Sequence, residues 1–491
     1  MRFPLFSPSS GIVLLALLSY SYAQNVSSLI SGSTTCNGTC PELVTLSSNF
    51  EHSAMAHSPL DDFYSVPANF SPSMKPGMLL RIEPHTNLTN YTVPSSLTMS
   101  RIIYTSESLN GTVVPVSAFV LWPYAPYQYN DQGSSKYPLV AWAHGTSGQF
   151  ASCAPSNYRS LQYHFMTSYT IATEGFVVVA TDYAGLGVNT APNGESSHLW
   201  LAGPVGANDV AYAIEAVRKA FPDQLDADGP FVTMGHSQGG NVAYAFAERQ
   251  AKTPVPGYRG TVAISPPTRV VELINRAQEM FETDPPATWP IWVPLVLSFP
   301  PKFIAAVTAA FPAYNYSGMT PLAYDRWNNV LKPLQGCLPT DGFAFYNLSI
   351  PSLSKPNWTS NSYVQKWNET VFVSGNKFSG PLLVLAGEKD VIPIDMIEES
   401  LDSSCKFSPD QSAEMVTYTA MQHFPVISAS RMKWLGWIKE KVSNSSASKE
   451  KAVCGKKSVV TGFNTNYTLQ FVTPNWLVDL VPSTDMWKLS F

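Results

Sequence analysis

The sequence predicts an α/β fold, with a mostly parallel, doubly wound central sheet and one large inserted segment. Three observations carry this. Short apolar runs alternate with helix-compatible segments from Tyr137 onward, the rhythm of parallel βα units. Two β-rich runs precede them and meet at Asn110-Gly111, a strong hairpin signal. A long stretch, residues 266–380, then separates two of the apolar runs and is too long to lack structure of its own.

In chain order, Arg2 precedes an apolar run from Gly11 to Leu18, and Ser21-Tyr22-Ala23 offers a small-x-small cleavage site before Gln24. Residues 1–23 read as a secretory signal, too short to span a bilayer. Residues 24–78 are rich in Ser, Pro and Asn without clear periodicity, an N-terminal arm lying across the body and stapled by Cys36 and Cys40. Leu79 to Ile82 opens the regular structure, and Thr98–Ser106 and Val113–Trp122 form the antiparallel pair. Leu139–Ala143 and Phe176–Ala180 are buried strands, with Tyr158–Glu174 as the crossover helix between them. Gly206–Phe221 is a helix carrying Val210, Ile214 and Val217 on one face. Pro230–Met234, Asn241–Gln250 and Thr261–Ser265 follow as strand, helix and strand.

Antiparallel strands first and parallel units after is the α/β-hydrolase plan, with a core of residues 79–265 and 381–442. The insertion, 266–380, opens with an apolar-periodic helix, Val270–Phe281, and continues Pro- and Trp-rich. Placed between strands at their carboxyl ends, it reads as a cap or lid. Pro381–Ala386 and Met415–Tyr418 resume the sheet, and a helix runs through Trp434, Trp437 and Val442. Residues 443–491 are a tail with Cys454 and two β-like runs, and no chemistry is assigned to them.

Composition narrows the function. A formal charge of −5, 13% charged residues and no notable Lys/Arg cluster exclude nucleic acid as a partner. The richest candidate for a membrane helix, Trp289–Phe311, is broken by Pro290, Pro294, Pro300 and Pro301 and holds Lys302, so no transmembrane segment is expected. N-x-S/T sequons at Asn25, Asn37, Asn69, Asn87, Asn90, Asn110, Asn315, Asn347, Asn357, Asn368, Asn444 and Asn466 point to a glycosylated, secreted protein. Six cysteines fit disulfides of an oxidising compartment, in any of many pairings. Cys36-x-x-x-Cys40 lacks the second ligand pair of a zinc site, and no metal or cofactor is expected.

The chemistry centres on Gly235-His236-Ser237-Gln238-Gly239, with Gly240 behind it. An apolar run before this G-x-S-x-G and an Ala-rich helix after it make a sharp strand-to-helix turn that lifts Ser237 clear as a nucleophile. A serine hydroxyl needs a base, and the base an orienting carboxylate. Of eight histidines only His423 lies beyond Ser237, where this chain order puts the base. Asp390, in Gly387-Glu388-Lys389-Asp390 at the end of a buried strand, is the preferred acid, and Glu388 the nearest rival. The oxyanion donors are the backbone N–H of Gln238 and that of Thr146 in His144-Gly145-Thr146. His144 reads as a packing residue, and His236 as pointing away from the reacting centre.

Four segments occur in order: Ala143-His144-Gly145-Thr146, Cys153-Ala154-Pro155-Ser156, Thr181-Asp182-Tyr183-Ala184-Gly185-Leu186-Gly187 and Gly235-His236-Ser237-Gln238-Gly239-Gly240. With them the chain resembles the fungal secretory lipases from about Leu79 to Val442. The resemblance implies an α/β-hydrolase with an inserted cap, acting on triacylglycerols and other esters. It implies bridges Cys153–Cys337 and Cys405–Cys454 as well. The longer arm and tail depart from the family. The expectation is a secreted serine hydrolase that cleaves carboxylic esters through an acyl-enzyme, with a lipophilic ester as substrate and transient contact with a lipid interface. The rival readings are a peptidase or amidase with the same machinery, and a non-catalytic binding protein on the same fold.

Overall fold

A computed structural model describes residues 26–129, 136–283, 299–443 and 452–465. The secretory signal, the sequons at Asn25, Asn444 and Asn466, residues 284–298 of the insertion and the tail from 466 lie outside the described residues.

Ten strands form one sheet: β1 (Leu79–Glu83), β2 (Thr98–Glu107), β3 (Val113–Trp122), β4 (Leu139–Ala143), β5 (Val177–Thr181), β6 (Phe231–His236), β7 (Tyr258–Ile264), β8 (Leu382–Gly387), β9 (Ala413–Tyr418) and β10 (Cys454–Val460). Their order is β1-β2-β3-β5-β4-β6-β7-β8-β9-β10. The β1–β2, β2–β3 and β3–β5 pairs are antiparallel, and the others are parallel. All residues of β4, β5, β6 and β8 are buried, because helices cover both faces of a parallel sheet. The chain steps from β4 to β5 on one side and to β6 on the other, so the direction of winding reverses at β4. A crevice opens beyond the carboxyl ends of the strands at such a point. Ala143 pairs with Gly235, so the loops after β4 and β6 leave the sheet level with each other.

Two sequence readings need correction. Between β4 and β5 there is no long crossover helix. Turns hold Leu161, Gln162 and His164 at positive φ, and only Ser168–Thr173 is α-helical. The arm is not without regular structure, for it contains α1 (Cys40–Ala54), whose buried face is Cys40, Val44, Ser47, Ser48 and Glu51. Too few of those positions are apolar to show a period. The tail adds β10 to the sheet, parallel to β9.

The arm is fastened to both halves of the molecule. Arg101, 2% exposed, pairs with Glu83 at 2.6 Å and with Asp61 of the arm at 2.8 Å. Glu51 accepts the backbone N–H groups of Cys337 and Thr340 in the insertion, at 3.0 and 2.7 Å. Disulfides join Cys36 to Cys40, Cys153 to Cys337 and Cys405 to Cys454.

Buried titratable groups set the pH response of the fold. Burial pushes the carboxyls of Glu51 and Asp209 up to about 7 and that of Asp182 to about 6. A carboxyl raised in the folded state contributes stability that is whole below its unfolded pKa and is lost as pH climbs through the folded one. The buried imidazoles of His144 and His198 are pushed down, to about 3 and about 4. Their opposing effect is halved at about pH 6.5, the pKa of an unfolded imidazole, and fades over the next unit. The carboxyls outweigh it from there, so the melting temperature should fall between about pH 7 and pH 8. Asp209 accepts from Ser106 Oγ at 2.5 Å and from the Ala184 N–H at 3.0 Å. An asparagine there satisfies both, donating to the hydroxyl and accepting the N–H. Asp209→Asn should therefore flatten the decline in thermal melts and melt above the wild type at about pH 8. A slope equal to the wild type's would remove Asp209 as a cause.

Candidate active site

The turn after β6 has the strained geometry its sequence demands. Ser237 has φ 57° and ψ −124°, a conformation costly for a residue with a side chain and held by its surroundings. The helix Gln238–Gln250 starts at the next residue, so the Gln238 N–H has no partner within the helix. Gly239 passes so close to the Ala143 and His144 carbonyls that a β-carbon there would overlap them. Gly145 is similarly confined, since a β-carbon would overlap the Tyr163 hydroxyl and stand 3.3 Å from Ser237 Cβ.

His423 follows β9, and Asp390 follows β8. His423 Nδ1 donates to Asp390 Oδ1 at 2.7 Å, and the carboxylate is fully buried while the imidazole is 10% exposed. Asp390 also accepts the Ile392 N–H at 2.9 Å and the Ser265 hydroxyl at 2.5 Å. Burial pushes this carboxyl up, but the facing imidazole and these donors outweigh it and hold it below the usual range. The Nδ1 proton faces the carboxylate, so Nε2 is the basic nitrogen. Glu388, the rival acid, accepts the Ala420 N–H instead, and it is exposed.

Ser237, His423 and Thr146 line one cleft of about 950 Å³, mouth included, with Trp200, Leu273 and Phe299 among its walls. Those walls come from the core and from the insertion helices Val270–Thr283 and Phe299–Ala310. Gln238 turns its side chain away, donating from Nε2 to His198 Nε2 at 3.0 Å, while His198 Nδ1 donates to the Ala184 carbonyl at 3.0 Å. His144 is fully buried, and burial pushes its imidazole down to about 3, so the ring is neutral with one N–H, which donates from Nδ1 to the Gly145 carbonyl at 2.7 Å.

Sequence reasoning missed several supports of this site. His236 Nε2 donates to the His423 carbonyl at 2.8 Å and its Nδ1 accepts from the Tyr163 hydroxyl at 2.8 Å, so it holds the backbone of the residue that carries the basic nitrogen. Burial keeps its imidazole far below its ordinary range, and therefore neutral. Nothing in G-x-S-x-G marks that variable position. Asp182 accepts from Ser117, from the Ser156 hydroxyl and from the Ser156 N–H, and the Tyr183 hydroxyl donates to the His144 carbonyl at 2.9 Å. The Thr181-Asp182-Tyr183 segment thus ties Cys153-Ala154-Pro155-Ser156 to the loop after β4, and their appearance together in the sequence was the available signal.

The family model of the alpha/beta hydrolase family matches residues 140–431. Among solved structures, Candida antarctica lipase A in its closed state aligns with a TM-score of 0.62 at 15% identity, over 82% of this chain and 90% of that one. The rice cell wall degrading esterase LipA from Xanthomonas oryzae aligns with a TM-score of 0.55 at 16% identity, over 74% of this chain and 100% of that one. No curated protein sequence matches the chain. The strand order, the turn at Ser237 and the reach of the family model, more than half of the chain, agree: the chain belongs to the alpha/beta hydrolase family.

Proposed function

We propose that this hydrolase is a secreted, glycosylated carboxylic ester hydrolase, a lipase or esterase acting on acylglycerols or other lipophilic esters. The observation that carries the reading is the Asp390–His423 hydrogen bond at the edge of a cleft that Ser237 shares. Ser237 Oγ attacks the acyl carbonyl while His423 Nε2 takes its proton, and Asp390 stabilises the imidazolium. The backbone N–H groups of Gln238 and Thr146 receive the oxyanion. His423 then protonates the leaving alcohol, and water, deprotonated by the same nitrogen, releases the acid and restores the serine.

Residues 266–380 act as a cap whose apolar side chains complete the cleft and take the acyl chain. Export is supported by the three disulfides and by the sequons. Among the described residues every sequon asparagine is exposed except Asn368, which is half-buried. No helix among the described residues is long and apolar enough to cross a membrane.

The test is turnover of p-nitrophenyl esters of graded acyl length beside emulsified triglyceride and a p-nitroanilide. Hydrolysis of esters, rising with acyl length, is the expected result. Turnover of the anilide alone would give the site to an amidase, and no turnover of any of them would sink the reading. Leu273, 9% exposed in the cleft wall, gives a sharper version. Leu273→Asp should raise KM for the palmitate ester by about tenfold or more, the worth of one buried leucine, and hardly change the acetate. Equal effects on both esters would remove Leu273 from the acyl path.

A further inference from the structure

Trp200 Nε1 donates to Thr146 Oγ1 at 2.9 Å. An indole nitrogen donates and never accepts, so this bond occupies a lone pair of the hydroxyl oxygen and leaves the hydroxyl proton to be donated elsewhere. Thr146 is the one incompletely buried residue in 139–150, as Ser237 is in 231–240, and both line the same cleft. Gly145, next to Thr146, is the residue that runs against Ser237 Cβ.

We propose that the Thr146 hydroxyl is a third donor to the oxyanion, beside the two backbone N–H groups, and that Trp200 is the positioning residue that aims it. The proposal rests on the hydrolase reading of Ser237 given above. Both partners of the bond are fixed before any substrate arrives. Trp200 is 2% exposed, and its ring lies 5.3 Å from Lys302 Nζ, which is buried and paired with Asp341 at 2.8 Å. The loop carrying Thr146 is held from the insertion: the Leu338 N–H donates to the Ser147 carbonyl at 2.9 Å, and Gln149 Nε2 to the Lys302 carbonyl at 3.1 Å. Cys153, farther along the same loop, is joined to Cys337. A donor immobilised in this way needs no reorganisation when charge gathers on the carbonyl oxygen, which is where a hydrogen bond accelerates acyl transfer most. The insertion thereby shapes the oxyanion site as well as roofing the cleft.

Thr146→Val, close in shape but without the hydroxyl, should lower kcat for p-nitrophenyl butyrate by about 100-fold with KM changed by no more than about twofold. Thr146→Ser should recover most of that loss, and Thr146→Ala gives the same comparison should the valine variant fail to fold. Trp200→Phe keeps the ring and removes the N–H. It should lower kcat less than Thr146→Val does, and add nothing in the Thr146→Val background, because the two residues act through one hydroxyl. Wild-type kcat in Thr146→Val, a serine variant as slow as the valine one, or losses that multiply in the double variant would each overturn the proposal. Undiminished turnover in Ser237→Ala would instead overturn the reading beneath it, so the two failures are distinct.

Discussion

Ser237→Ala is expected to lower kcat for ester hydrolysis by about a million-fold, with melting temperature close to the wild type's. Alanine keeps the β-carbon and the same backbone strain at φ 57°, so the turn and the helix after it persist. What disappears is the hydroxyl oxygen to which the proposed mechanism attaches the acyl group. A residual rate of about a thousand-fold or more over water should remain, from the cleft and the oxyanion donors. A fluorophosphonate that labels the wild type should leave the variant unlabelled, and its intact mass reports this directly. Labelling of the variant, or undiminished turnover, would move the nucleophile elsewhere.

The second largest effect is expected at Asp390. Asp390→Ala should lower kcat by about 10⁴-fold, since His423 loses both its orienting acceptor and the charge that stabilises the imidazolium. Asp390→Asn should lose less. Its amide oxygen, placed where Oδ1 now stands, keeps the bonds from His423 Nδ1 and the Ile392 N–H. Its amide nitrogen, in the place of Oδ2, donates to Ser265 Oγ. The difference between the two variants measures orientation apart from charge. If both match the wild type in pre-steady-state acylation, Asp390 has no part in the chemistry and Glu388 becomes the residue to change.

Strands β4, β5, β6 and β8 were legible because they are buried on both faces and read as short, mostly apolar runs, such as Leu139-Val140-Ala141-Trp142-Ala143. The placement of Ser237, Asp390 and His423 was legible for a related reason: each comes in the loop after a strand, β6, β8 and β9 in turn, and a loop at a strand's carboxyl end must lie on the rim. Helix α1 was not legible. Its hidden side uses Ser47, Ser48 and Glu51, and Glu51 makes sense only opposite the backbone of Cys337 and Thr340. The roles of His236, His198 and Trp200 were equally closed to a linear reading, since each acts through a partner distant in sequence, such as His423, Gln238 and Thr146. The false crossover helix came from trusting helix-compatible composition in Tyr158–Glu174, where Leu161, Gln162 and His164 adopt left-handed turns.

The clasp between Glu51 and Cys337 joins residues 286 positions apart, and the sheet takes its last strand from residues 454–460. During translation the first helix therefore emerges long before anything exists for it to dock on, and Cys153 waits 184 residues for Cys337. Assembly must hold back until almost the whole polypeptide has left the ribosome. Throughout that interval its early cysteines must stay clear of wrong partners.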